Sequence, residues 1–114
     1  MKEIVYSPEY LRRILELRDY LYERYGDRTA DRIIKEITET VNLLKENEYL
    51  GKSLQREFGI DADYRYIFKN QNYIFYLIKD EQILVVAIYN EKENYMQKLF
   101  KVKTINEKSY LCDY

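Results

Sequence analysis

The 114 residues contain no histidine and a single cysteine, Cys112. Two common sources of chemistry at neutral pH are therefore missing: an imidazole that exchanges a proton near neutrality, and a thiolate activated by one. Cys112 has no second cysteine to bridge and no histidine with which to share a metal, so it reads as a bystander and no metal site is expected. Proton transfer is left to a carboxylate such as Glu91 or Glu93, a lysine of lowered pKa or a tyrosine, and each needs an environment that shifts it. Cations are plentiful, but the 19 Lys+Arg are offset by 20 Asp+Glu for a net charge of -1. A protein that grips phosphate backbones over a whole surface usually carries a basic excess, so that class is disfavoured and any basic patch must be local.

Such groups act only where a fold places them, and the apolar pattern gives the placement. A chain with 46% hydrophobic and 34% charged residues at this length fills one compact core, so residues 1–114 are read as a single domain. Glu3–Tyr6 is a short run of strand formers, after which Ser7-Pro8 supplies a helix cap with proline at the first helical position. From Pro8 to Tyr25 the residues Tyr10, Leu11, Ile14, Leu15, Leu17, Leu21, Tyr22 and Tyr25 recur at three and four. That spacing assigns them to a buried face and leaves Arg12, Arg13, Glu16 and Asp19 to water. Gly26 stops this helix. Asp27 or Thr29 caps a second one, with Ala30, Ile33, Ile34, Ile37, Val41 and Leu44 as its stripe and an end before about Gly51. So short a break folds the pair into an antiparallel hairpin.

The second half supplies the sheet that such a hairpin needs. Tyr64–Lys69, Tyr73–Lys79 and Ile83–Tyr89 are rich in β-branched and aromatic residues, and Asn70-Gln71-Asn72 and Asp80-Glu81-Gln82 are connectors short enough for hairpins. Ile83–Ile88 is apolar without alternation, as in a central strand or one covered on both faces. Glu93–Phe100 places Met96, Leu99 and Phe100 on one edge of an expected short terminal helix, and Lys101–Tyr114 reads as an extra strand or tail. The expected class is α+β in the order β-α-α-β-β-β, a helical hairpin packed on one face of a curved, mainly antiparallel sheet. With neither an apolar leader nor a membrane-length apolar run, the chain is expected in the cytoplasm, without a membrane partner.

This order, together with several local segments, resembles the RelE/ParE superfamily of toxins from bacterial type II toxin–antitoxin pairs. The resemblance covers residues 3–100. Its pieces are the opening strand with Ser7-Pro8, the Leu50-Gly51 turn after the second helix, Tyr64-Arg65-Tyr66, and Tyr73-Ile74 and Ile78 with Phe75-Tyr76 between them. The most telling piece is Ile83–Phe100. The family commonly ends a buried strand with a His-x-Arg/Lys-x-Asp/Glu-Tyr segment followed by a Leu-Phe or Leu-Leu pair. Here Asn90-Glu91-Lys92-Glu93-Asn94-Tyr95 precedes Leu99-Phe100, with Asn90 in the place of the histidine.

The resemblance implies roles for individual residues. Arg65 falls where the ribosome-dependent RNases of the family often carry a phosphate-contacting arginine, Lys92 at a basic position of the terminal motif, and Tyr95 where some RNase members have an aromatic. In an RNase these three are the catalytic candidates, holding charge and stacking a base while a 2′-hydroxyl attacks the neighbouring phosphate without a metal. Plainer roles stand beside each: Arg65 bridging a cross-strand carboxylate, Lys92 solvated in a charge-rich loop, and Tyr95 as one of 14 tyrosines covering the sheet with a ring.

The superfamily then offers two functions. One is a ParE-like binding module that blocks DNA gyrase, for which the missing histidine is no obstacle. The other is a RelE-like endoribonuclease acting on mRNA in the ribosomal A site, where a near-neutral protein is poorly attracted to rRNA. The first is preferred, and a non-toxic helix-on-sheet interaction domain is the third reading. No cofactor is expected. In both toxin readings a cognate antitoxin folds onto the apolar surface as it binds. Asn90, Met96, Leu99 and Phe100 are the expected contacts to antitoxin or target, and the terminal helix competes for the same surface.

Overall fold

A computed structural model describes residues 2–59 and 63–93. In chain order the elements are β1 (Glu3–Tyr6), α1 (Pro8–Tyr25), α2 (Asp27–Asn42), a 3-10 turn (Leu43–Lys45), β2 (Lys52–Ser53), α3 (Leu54–Phe58), β3 (Arg65–Lys69), β4 (Asn72–Ile78) and β5 (Gln82–Asn90). The strands make one sheet in the order β1-β5-β4-β3-β2, with β1 parallel to β5 and the other pairs antiparallel. This is the α+β architecture expected, mainly antiparallel and with the hairpin on one face.

Local chemistry explains the helices. Ser7 is extended at the head of α1, and its Oγ accepts the N–H of Tyr10 while Pro8 occupies the first turn, where no amide donor is required. Gly26, at φ 90, ends α1 and at once precedes α2. A left-handed residue there reverses the chain in a single step, which glycine adopts at little steric cost. Arg18 of α1 then reaches Asp31 of α2 at 3.0 Å across the hairpin.

The main core lies between hairpin and sheet. Tyr10, Ile37, Val41 and Leu44 pack on Ile67, Ile74, Tyr76, Ile83, Val85 and Ile88. On the opposite sheet face Tyr66, Phe75, Ala87 and Tyr89 gather around Leu54 of α3. Side chains from β5 therefore meet apolar neighbours on both faces, and β5 sits between β1 and β4, which accounts for its unalternating apolar run.

Three expectations need correction. The order contains β2 and α3 between the hairpin and β3, and neither was expected, because two and five residues are too few to leave a periodic signal. The buried stripe of α1 is narrower than its apolar pattern: Leu11, Leu15, Tyr22 and Tyr25 are 48%, 63%, 51% and 57% exposed. Tyr10 and Leu21, helped by the partly covered Ile14 and Leu17, already fill the strip that a helix can turn toward a sheet. Arg13 is not left to water, for the reason given below. The second helix ends at Asn42, and Leu44 completes its stripe from the 3-10 turn. Of the expected terminal helix Glu93–Phe100 only Glu93 is described, in a bend, and the tail Lys101–Tyr114 lies outside the described residues.

α1 also finishes the sheet. β1 pairs with β5 only as far as Val85, and a β-bulge shifts the β4–β5 register just beyond it. The amide of Ser7 donates to Val85 O at 2.9 Å, the Ser7 hydroxyl donates to Val86 O, and Arg13 Nε donates to Ile88 O at 2.6 Å. The cap of α1 and its Arg13 side chain thus satisfy carbonyls that a neighbouring strand would otherwise take up.

Candidate functional site

Where β5 ends, the second half of α1, the start of α2, the β3–β4 turn and residues 90–93 enclose a cleft of about 860 Å³. The β3–β4 turn is a two-residue reversal with both central residues left-handed, Asn70 at φ 51 and Gln71 at φ 65. Asparagine tolerates that region. Glutamine does so at a cost, and such a conformation persists where its surroundings hold it. The hold is visible here. Asn70 Nδ2 donates to Glu36 Oε1 at 3.2 Å, the buried Asn72 donates from Nδ2 to Asn70 O at 2.8 Å, and Glu91 N donates to Gln71 O at 2.9 Å. The Asn70 hydrogen bond, with help from Arg32, keeps the Glu36 carboxyl below its ordinary pKa.

The second wall is the turn from Asn90 to Glu93, and it is knitted to itself. Asn90 Oδ1 accepts the N–H of Lys92 at 3.0 Å, Asn90 O accepts the N–H of Glu93 at 2.9 Å, and Asn90 N donates to Glu93 Oε2 at 2.9 Å. The first of these is an Asx-type turn closure, which an imidazole side chain does not reproduce in the same geometry. Arg13 anchors the turn from α1. Its NH2 group lies 2.7 Å from both oxygens of Glu93, its Nε serves Ile88 O, and its guanidinium sits 4.0 Å from the Tyr89 ring centroid. Burial raises the Tyr89 pKa, and the Arg13 charge opposes that rise.

Arg65 lies elsewhere. It starts β3, and its NH2 donates to Gly51 O at 2.6 Å and to Tyr49 O at 3.4 Å, with the guanidinium 5.2 Å from the Tyr49 ring. These acceptors are carbonyls of the loop after α2, not a cross-strand carboxylate. Arg65 pairs across the sheet with Tyr76, which pairs with Val85, whereas Asn72 and Asn90 pair at the other end of the same strands. Five residue steps along β5 correspond to about 17 Å. The structure therefore brings Asn90 and Lys92 together and leaves Arg65 apart from them. Tyr95, Met96, Leu99 and Phe100 lie outside the described residues.

The structure gives two residues of this end roles that the sequence does not assign: Glu93, expected only as a carboxylate for proton transfer, and Arg13, expected in solvent. A signal did exist: Arg13 stands three residues after Tyr10 and four before Leu17, inside the file of α1 that faces the sheet. An arginine in such a file needs a partner, and the partner comes from 80 residues away.

Residues 4–95 match the family described as the ParE toxin of the type II toxin–antitoxin system, parDE. The chain belongs to the ParE toxin family. Among solved structures this ParE-family chain is similar to the chromosomal ParDE TA system from P. aeruginosa, at 15% identity and TM-score 0.68, covering 79% of this chain and 96% of that one. It is also similar to YafQ from E. coli strain BL21(DE3), at 13% identity and TM-score 0.48 over 80% of this chain and 94% of that one. A third similarity is to HP0894 from Helicobacter pylori, at 15% identity and TM-score 0.46 over 82% and 98%. At these identities the first likeness speaks to fold, which agrees with the hairpin-on-sheet arrangement. No curated protein matches. In this ParE-family chain, then, the end of the central strand is a turn built by asparagine and closed by an Arg13–Glu93 ion pair.

Proposed function

We propose that this ParE-family toxin acts by binding rather than by catalysis, blocking DNA gyrase, and that a cognate antitoxin neutralises it. One observation carries the reading: two of the groups that RNA cleavage would recruit, Arg65 and Glu93, are engaged in holding the fold. Arg65 clamps the carbonyls of Tyr49 and Gly51. Glu93 is held between Arg13 and the Asn90 amide, and a carboxylate in a bidentate ion pair is a poor proton acceptor. With no histidine in the chain, no imidazole stands ready to replace it. A binding module needs none of these groups free.

The antitoxin partnership draws on the family and on the surface. The similar P. aeruginosa structure is described as a ParDE TA system. In this chain α1 leaves Leu11, Leu15, Tyr22 and Tyr25 about half exposed or more, at spacings that place them along one side of the helix, where an antitoxin segment that folds on binding would cover them. Asn90, Met96, Leu99 and Phe100 are the further proposed contacts, for which the antitoxin competes with the terminal segment.

The test is to incubate the purified chain with gyrase and, in parallel, with translating ribosomes. Loss of supercoiling without mRNA cleavage is the expected result, and codon-phased cleavage with unaffected supercoiling overturns it. Removing residues 93–114 takes away the competing segment and should change the affinity for the antitoxin, and an unchanged affinity would discard the competition.

A further inference from the structure

We infer that Arg13 is a positioning residue: it fixes the exit of the central strand, and with it the turn Asn90–Glu93, against α1. The inference rests on the reading above that this turn belongs to the partner-binding end of the toxin. The argument begins with what one guanidinium does here. Its Nε completes the exposed edge of β5 at Ile88 O, beyond the reach of β1. Its NH2 holds both oxygens of Glu93, and its plane lies over Tyr89. Glu93 in turn accepts the amide of Asn90. A single side chain from α1 therefore reads three consecutive features of the strand end: a carbonyl at 88, a ring at 89 and a carboxylate at 93.

This is not an ordinary surface ion pair. The side chains of Arg13 and Glu93 are 16% and 28% exposed, whereas those of the neighbouring pair Arg12 and Glu16 on the same helix are 53% and 60% exposed. Solvent screening removes most of the effect of the second pair and much less of the first. Charge alone does not account for the arrangement either. Lysine keeps the charge but presents a point donor, and it cannot serve Ile88 O and both Glu93 oxygens together as a planar fork does. The cleft wall formed by residues 90–93 is joined to the β3–β4 turn through Glu91 N and Gln71 O. A strand end released from α1 moves that wall, and the point from which residues 94–114 depart moves with it.

The experiment uses the full chain and reads amide hydrogen exchange together with growth arrest on expression. Arg13→Lys and Arg13→Ala should speed exchange at Asn90, whose amide reports the Glu93 contact, by about tenfold, with β4 amides unchanged. Growth arrest should weaken by about tenfold at equal levels of folded protein. Glu93→Gln, which leaves the α1 side intact and carries less risk to folding, should raise Asn90 exchange in the same direction by a smaller factor. Unchanged Asn90 exchange in both Arg13 variants overturns the clasp, as does a uniform rise across the sheet, which marks a merely structural arginine. Faster local exchange with undiminished growth arrest overturns the positioning role while leaving the toxin reading in place. A wild-type chain that does not arrest growth sinks the toxin reading and the functional half of this inference, while the exchange data still decide the clasp.

Discussion

The hydroxyl of Tyr76 stands between Gly51 and Glu48: it accepts the Gly51 N–H at 2.9 Å and donates to the Glu48 carbonyl at 2.8 Å. Tyr76 is fully buried in the centre of β4, so its ring belongs to the core and its oxygen organises the loop that follows α2. Arg65 closes the same loop from the neighbouring strand. Tyr76→Phe keeps the ring but leaves a buried amide and a carbonyl without their partner. The expected loss is about 1–3 kcal/mol in urea unfolding. Gly51→Ala should lose more, about 2–4 kcal/mol, because a Cβ there would stand 2.4 Å from Tyr66 O and 2.7 Å from the Tyr76 hydroxyl. A Gly51→Ala protein as stable as the wild type would contradict this packing.

Ser7 serves a helix and a sheet at once. Its Oγ accepts the Tyr10 amide and donates to Val86 O, so Ser7→Ala removes a cap and strands a carbonyl beside the bulge. A loss of about 1–2 kcal/mol is expected, and Ser7→Thr, which keeps the hydroxyl, should recover most of it. Equal destabilisation by both variants would show that the hydroxyl is not the operative group.

Arg65 and Lys92 should separate in their effects. Arg65→Ala loses a tether to the Tyr49–Gly51 loop and should destabilise by about 1–3 kcal/mol, with activity falling only as the folded fraction falls. Lys92 is exposed at the cleft. Lys92→Glu should leave stability within about 0.5 kcal/mol and, under the proposed function, weaken gyrase inhibition about tenfold through charge reversal at the proposed binding surface. Chemical denaturation and a supercoiling assay on the same preparations give both numbers, and an Arg65→Ala protein inactive at full stability would restore that residue to the functional site.

Stability should be nearly flat around neutrality and fall at high pH. Burial raises the pKa of Tyr6, Tyr10, Tyr66, Tyr76 and Tyr89 above the ordinary 10.0. The folded state therefore keeps protons that the unfolded chain releases, and the stabilisation is complete below about pH 10 and is lost as pH rises through the folded values. On the acid side Glu36, lowered mainly by Asn70, contributes above its ordinary 4.5 and loses that contribution as pH falls through its folded value. Tyrosinate absorbance should rise together with loss of structure in an alkaline titration. Ionisation of all 14 tyrosines near their ordinary pKa with the fold intact would refute the burial assigned to these five.

Much of the candidate site was only half legible in the sequence. Asn90 and Lys92 stood out because a terminal motif follows a long apolar strand. Arg65 is singled out by the family resemblance, but whether it faces solvent, substrate or a loop depends on Gly51, 14 residues earlier. β2 and α3 were invisible because short elements are set by pairing and by one buried residue, Leu54, rather than by periodicity.

The sequence by itself determined the class of fold, since Ser7-Pro8, Gly26 and the three- and four-residue spacing of α1 and α2 are local, and the apolar density of β3 to β5 demands a sheet. It also determined that none of these 114 residues can contribute an imidazole. Only the tertiary structure decided which part of the apolar pattern of α1 is buried and where Arg13 goes. A helix on a sheet turns one strip inward whatever its width of apolar residues, and a charged residue in that strip is tolerated only when a carboxylate from far along the chain arrives to meet it.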